Sequence, residues 1–380
     1  MNRACVTSTS AHSEARGFSL LELLVAMAMA LILVAGAARL FNSALTGSFT
    51  TTQRAEMQED VRAAQNLMAR DISLAGSGLP NGGVGLPNGG SGNPVYGCDG
   101  TQCYLPASAT GPSGMTFPLF PPGPPSPTAR LYYIMPGPQK GPTINGIASD
   151  IITVAYTDNV FLLNQYTVTV NNAQATSITF TATPTPTPMP SPSPTPVQAV
   201  NDPSVGLQPG DLVFFQNASV NAIGEVTTLA SSTATTFTVN FASTDQLHMN
   251  QPTATGGDMT ALVGAPSVSA TRIWLVSYYL NVLANGTPRL MRQVNGQTPV
   301  PVAENIVGLN FTYDTYDDTG QLRVALADAG ASLGTSPNMI RKVNISMTAR
   351  SAAKGISGYQ GLNLVTEISA RNMSFKNRYQ

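Results

Sequence analysis

The chain has 380 residues, with 19 Lys and Arg against 20 Asp and Glu, so its net charge is −1 and only 10% of its residues are charged. That balance offers no basic surplus for nucleic acid. Two histidines in the whole chain leave little material for a Ser-His-Asp triad or a multi-histidine metal site.

In chain order, residues 1–17 are rich in Ser, Thr and Ala and carry Arg3 and Arg16. An apolar run then extends from Phe18 to Ala38, with Glu22 as its single charge, and meets Arg39. A span of that length crosses a bilayer as a helix, and positive charge just before it favours a cytoplasmic N-terminus. A carboxylate inside an apolar span is costly and calls for a partner. Two plainer readings compete. One is a secretory signal peptide with a small-residue site at Ala35-Gly36-Ala37. The other is a simple anchor with an idle Glu22. An acid in the apolar core and the length of the run argue against the signal peptide.

Proline is absent from residue 18 to residue 79, so the helix is expected to continue. Phe41, Leu45 and Phe49 share one face. Thr50-Thr51-Thr52-Gln53-Arg54-Ala55-Glu56 is polar with β-branched residues, and here the helix is expected to be frayed or exposed. Met57, Val61, Ala64, Met68 and Ile72 restore an apolar stripe suited to packing on a sheet. Leu74-Ala75-Gly76-Ser77-Gly78 is a helix ending. A helix from 18 to 75 would be roughly 85 Å long at about 1.5 Å per residue. Its first half would sit in lipid and then in a bundle with other subunits.

Residues 77–146 are Gly/Pro-rich, with few regular elements expected. Strands are predicted at 129–135, 147–157, 160–170, around Leu212–Phe215, and at 222–229, 235–241, 271–284, 288–294, 304–314, 339–349 and 363–376. Asn285-Gly286 between two such runs is a hairpin signal. The run 182–196 alternates Pro with Thr, Ser or Met, which excludes helix and sheet and favours an extended spacer. It reads as a tolerated insertion, with an O-glycosylated stalk as the alternative. The fold class is α+β: one long N-terminal helix on an antiparallel sheet domain. No P-loop or dinucleotide fingerprint is present, and neither an enzyme activity nor a cofactor is predicted. Asp314, Asp317 and Asp318 before Gly320 offer oxygen ligands for calcium, but a solvated hairpin loop is the preferred reading.

The leader-Gly17-Phe18-x-x-x-Glu22 pattern resembles the type III signal of type IV prepilins. That resemblance implies cleavage between Gly17 and Phe18 by a prepilin peptidase and methylation of the new Phe18 amine. It further implies that Glu22 pairs with the Phe18 amine of a neighbouring subunit during assembly. Cleavage would remove Cys5 and His12, leaving His248 and the cysteines Cys98 and Cys103. That pair, flanking Asp99-Gly100, is a disulfide candidate in an exported protein, with a two-cysteine metal pair as the weaker alternative.

Several words resemble PilW-type minor pilins and the related J-type minor pseudopilins of type II secretion. They are Arg70-Asp71 with the Leu-Ala-Gly ending, Ser149 to Val154, Val276-Ser277-Tyr278-Tyr279-Leu280, Leu290-Met291-Arg292, Glu304 to Phe311, Arg341-Lys342-Val343 and Ala370-Arg371-Asn372. The division implied is a leader at 1–17, a transmembrane and assembly half-helix at 18–39, and an amphipathic half at 40–76. The Gly/Pro-rich loop region at 77–146 and a β-rich domain at 147–380 follow. The resemblance implies a minor pilin acting in pilus assembly or initiation, at or near the filament tip. Its partners would be the prepilin peptidase, major and minor pilins, the inner-membrane assembly platform, and lipid before assembly. Its place would be the inner membrane, single-pass with the sheet domain periplasmic, and then the pilus outside the cell. The alternatives are a type II secretion pseudopilin and a membrane-anchored exported adhesin or hydrolase.

Overall fold

The computed structural model describes residues 19–80, 82–87, 94, 97–98, 103–104, 122–123, 126–161, 163–183, 198–231, 233, 235–251, 259–316, 320–328, 337–354 and 358–373. Among them the fold is α+β, with the long helix α1 (Leu20–Leu74) and antiparallel strands. The chain divides into two compact units, the second beginning at Glu56.

In the first unit α1 is apolar and uncovered. Leu20 is 80% exposed, Leu33 74% and Phe41 67%. The helix is long and apolar enough to cross a membrane. Through Thr50–Glu56 the helix is mostly exposed, as that polar stretch suggests, but it runs unbroken and does not fray. The threonine hydroxyls of this region turn back on the helix. Those of Thr46, Thr51 and Thr52 donate to the carbonyls of Asn42, Gly47 and Ser48 at 2.8, 2.9 and 3.1 Å.

The second unit opens with the apolar stripe of α1, in which Met57, Val61, Ala64, Met68 and Ile72 are all buried. Short ladder strands follow: β1 (Val84–Gly85), β2 (Gly97–Cys98), β3 (Cys103–Tyr104) and β4 (Pro122–Gly123). Next come β5 (Ser126–Leu131), β6 (Ile134–Gly137), β7 (Thr143–Ile144), β8 (Ile147–Ala148) and β9 (Ile151–Thr157). The Gly/Pro-rich stretch therefore supplies core material: Val84, Leu86, Leu131 and Ile134 are fully buried. A 3-10 turn at Leu163–Gln165 delays the next strand, so the expected 160–170 strand is shortened to β10 (Tyr166–Val170). The later strands are β11 (Ser177–Ala182), β12 (Leu212–Gln216), β13 (Asn221–Glu225), β14 (Thr228–Ser231) and β15 (Thr236–Asn240). The predicted 222–229 strand is thus two strands. Val226 donates its N–H to the Asp211 carbonyl at 2.8 Å, and the chain changes sheets there.

The long strand β16 (Ser269–Val282) is the spine of the main sheet, followed by β17 (Pro288–Val294) and β18 (Val300–Glu304). The Asn285-Gly286 hairpin joins β16 to β17, with Gly286 at φ +79. Strand β9 pairs with β16 over Ile273–Tyr278. Strands β12 and β17 share its opposite edge end to end, one at Ser269–Ile273 and the other at Val276–Val282. Asn295 fills the gap between them. Its amide accepts from Leu275 N–H at 2.8 Å and donates to the Ile273 carbonyl at 3.3 Å, in place of a strand. The chain closes with β19 (Ile306–Tyr316), β20 (Leu322–Leu326), β21 (Ile340–Arg350) and β22 (Gly361–Ser369), one sheet in the order β20-β19-β21-β22.

The main sheet has a core on each face. Leu212 and Phe214 join the core under α1, while Val213 and Phe215 join a second core. That second core lies under an accessory sheet in the order β10-β11-β15-β14. Tyr166, Phe180, Phe215 and Phe241 line it, with Phe215 and Phe241 in edge-on contact at 5.5 Å.

Candidate functional site

Of the processing residues, Gly17 and Phe18 lie outside the described residues, and Glu22 lies within them. Glu22 is exposed, and its Oε2 accepts the Ser19 N–H at 3.0 Å. The Ser19 hydroxyl in turn accepts the Leu21 N–H at 3.2 Å. Ser19-x-x-Glu22 is thus a capping box that starts α1, a local signal that sequence reasoning missed. A carboxylate in the first turn also suits the positive end of the helix dipole.

Near the other end of the helix, Asp71 is 2% exposed and sits where α1 meets the main sheet. Its Oδ1 accepts from the Tyr156 hydroxyl at 2.8 Å, and its Oδ2 accepts from the Tyr278 hydroxyl at 2.7 Å and from Arg292 Nε at 2.8 Å. Arg292 Nε also reaches the Tyr278 oxygen at 3.1 Å. Burial, with the Asp71 charge beside them, pushes both tyrosines above the ordinary phenol range, so they stay protonated donors. Burial alone would lower Arg292. The Asp71 bond and charge outweigh it and hold the guanidinium charged. Helix, β9, β16 and β17 therefore close on one satisfied ion cluster.

Neighbouring contacts finish this junction. Gly76 takes φ +80 just beyond the helix end, and a Cβ there would stand 2.8 Å from the Asn372 carbonyl oxygen. The Asn372 side-chain amide donates to the Ser73 carbonyl at 3.1 Å and so caps the helix C-terminus from the far end of the chain. Asp150 accepts the N–H groups of Gln139 and Phe311, both at 2.8 Å, and so ties the start of β9 to β19. Burial pushes its carboxyl up against the opposing pull of those two bonds.

Beside the cluster, Arg272 of β16 is buried among Asp158, Asp211, Phe161 and Trp274. Its Nε donates to Asp158 at 2.8 Å and Nη1 to the Gly206 carbonyl at 2.7 Å, and its guanidinium stands 4.6 Å from the Trp274 ring centre. An open cleft of about 590 Å³ lies between the two ion clusters, walled by Arg70, Trp274, Val205 and Gln297.

The backbone register places Cys98 opposite Cys103 across the β2–β3 ladder. Of the calcium-loop residues, Asp317 and Asp318 lie outside the described residues. Asp314 accepts the Ala325 N–H at 3.0 Å and the Asn344 amide at 3.1 Å, which ties β19 to β20 and β21. Among the described residues no group of three or more His, Cys, Asp or Glu side chains is placed to hold a metal.

A family model for the prokaryotic N-terminal methylation motif matches residues 13–38. No match was found among curated proteins or among solved structures. Together with the long apolar N-terminal helix, that motif supports a type IV pilin-like protein. The motif implies processing by a prepilin peptidase and pilin-type assembly, and the helix is consistent with membrane anchoring.

Proposed function

We propose that this protein is a minor pilin of the PilW type, which takes part in starting a type IV pilus and resides at or near its tip. On this reading the peptidase cuts between Gly17 and Phe18 and methylates Phe18. The chain waits in the inner membrane with its sheet domain in the periplasm, and the assembly platform then joins it to major and minor pilins. It turns over no substrate. Its essential chemistry passes between subunits, where Glu22 meets the next subunit's Phe18 amine. Both groups are otherwise uncompensated in hydrocarbon.

The observation that carries this reading is the helix within residues 20–49. Its apolar side chains are left uncovered and its single acid sits in the first turn. A shaft subunit would repeat the bulk of the accessory sheet at every position, whereas a tip subunit presents it once. Glu22→Ala is the test. Piliation is expected to be lost or sharply reduced while leader cleavage proceeds. Normal piliation would remove the assembly role, and loss of protein secretion with pili intact would reassign the chain to a type II secretion pseudopilus.

A further inference from the structure

Two buried acids meet where β13 joins the loop that follows β15. Glu225 ends β13 and is 2% exposed, and Asp245 in the loop is 4% exposed. Both carboxyl groups are gripped by amides of the same short loop. Glu225 accepts the N–H groups of Gln246 and Leu247 at 3.4 and 2.7 Å. Asp245 Oδ2 accepts those of Met249 and Asn250 at 2.5 and 3.1 Å. Asn250 closes the frame, because its amide accepts the Glu225 N–H at 2.9 Å and donates to the Glu225 carbonyl at 2.7 Å. Two buried atoms are left without partners, Asp245 Oδ1 and His248 Nδ1. His248 also holds φ +53, a left-handed conformation that costs energy for a non-glycine residue.

The Asp245 charge beside Glu225 favours a proton held between the two carboxyl groups, while His248 eases the charge on Asp245. The charged and titratable groups around them are few. The loop supplies His248, and the turn packed on them through Gly296 is neutral. Asp211, beside the start of β12, is engaged by Gln208 N–H and Arg272.

We propose that Glu225 and Asp245 form a proton-binding site, in which one proton shared between the two carboxyl groups closes the 242–251 loop onto β13. The proton comes from solvent and returns to it. Its loss leaves two facing charges and releases the loop, with the Leu247 and Met249 side chains that it contributes to the core under α1. Burial first, and then the Asp245 charge, push Glu225 up to about 7 from 4.5, against the pull of the Leu247 N–H. Between those two values the folded loop holds more proton than the unfolded chain, so stability falls as pH rises through that window.

The test is hydrogen exchange of residues 243–251 in the full chain in detergent, corrected for intrinsic rates, at about pH 5.5 and about pH 8.5, either side of the raised Glu225 value. Wild-type protection should fall about tenfold or more across the interval. In Glu225→Gln the amide supplies the missing donor to Asp245, and the drop should vanish. Asp245→Asn should shrink it, since the neighbouring charge goes while the burial of Glu225 stays, and this covers the case in which the first variant fails to fold. A drop of wild-type size in both variants would overturn the proposal. So would protection at the higher pH that calcium restores and EDTA removes, which would mark a bridging cation.

Discussion

The two ends of α1 put similar side chains to opposite use. From Leu20 to Phe49 the helix is apolar and its side chains stay exposed, with Leu20 at 80%. From Met57 to Ile72 the stripe is covered by the chain's own sheet. Each part carries one telling acid. Glu22 binds a backbone N–H of its own helix end and is otherwise open to solvent or lipid. Asp71 is surrounded by two tyrosines and an arginine drawn from three strands. One helix thus keeps partners inside the chain for its second half and leaves the apolar side chains of its first half uncovered.

The strongest way to break this contrast is to remove both acids in turn. Asp71→Ala strands the half-buried Arg292 charge and two buried tyrosine hydroxyls and is expected to cost about 3–5 kcal/mol in urea unfolding of the full chain in detergent. Adding Arg292→Met should recover part of that loss, because the unpaired charge goes with it. Glu22→Ala in the same assay should leave the sheet domain's unfolding midpoint in place. A shift as large as that of Asp71→Ala would mean that the first half of the helix is also held from within. Gly76→Ala tests the helix ending. At φ +80, with the Asn372 carbonyl in the way, it should cost about 1–3 kcal/mol, read as a lower melting temperature. Asn372→Ala removes one cap bond and should cost about 1 kcal/mol. The smallest effect is expected at the half-exposed Arg289–Glu304 pair, separated by 2.8 Å, where Glu304→Ala should change stability by at most about 1 kcal/mol.

Much of this contrast is legible in the sequence. The stripe from Met57 to Ile72 has helical spacing, and the Asn285-Gly286 turn announces its hairpin. Asp71, Tyr278, Arg292 and Asn372 also stand in recognisable words, but as separate fragments. Their meeting depends on contacts across 207, 221 and 299 positions, which no local pattern encodes. Tyr156 carries no local mark of its role for the same reason. Leu212-Val213-Phe214-Phe215 reads as a buried strand, but a sequence does not say that alternate residues feed two different cores. Strand β11 does carry a signal. Ile178 and Phe180 alternate inward with Ser177, Thr179 and Thr181, and the adjoining Pro/Thr run masks it. The single-residue plug at Asn295 has none, since its role exists only once β12 and β17 share an edge.

The most direct measurement is mass spectrometry of the mature N-terminus, because the account rests on a chain that is cut and then assembled through its new end. It predicts a chain that begins at Phe18 with a methylated amine. A start at Ala38, or an uncut Met1, would contradict it.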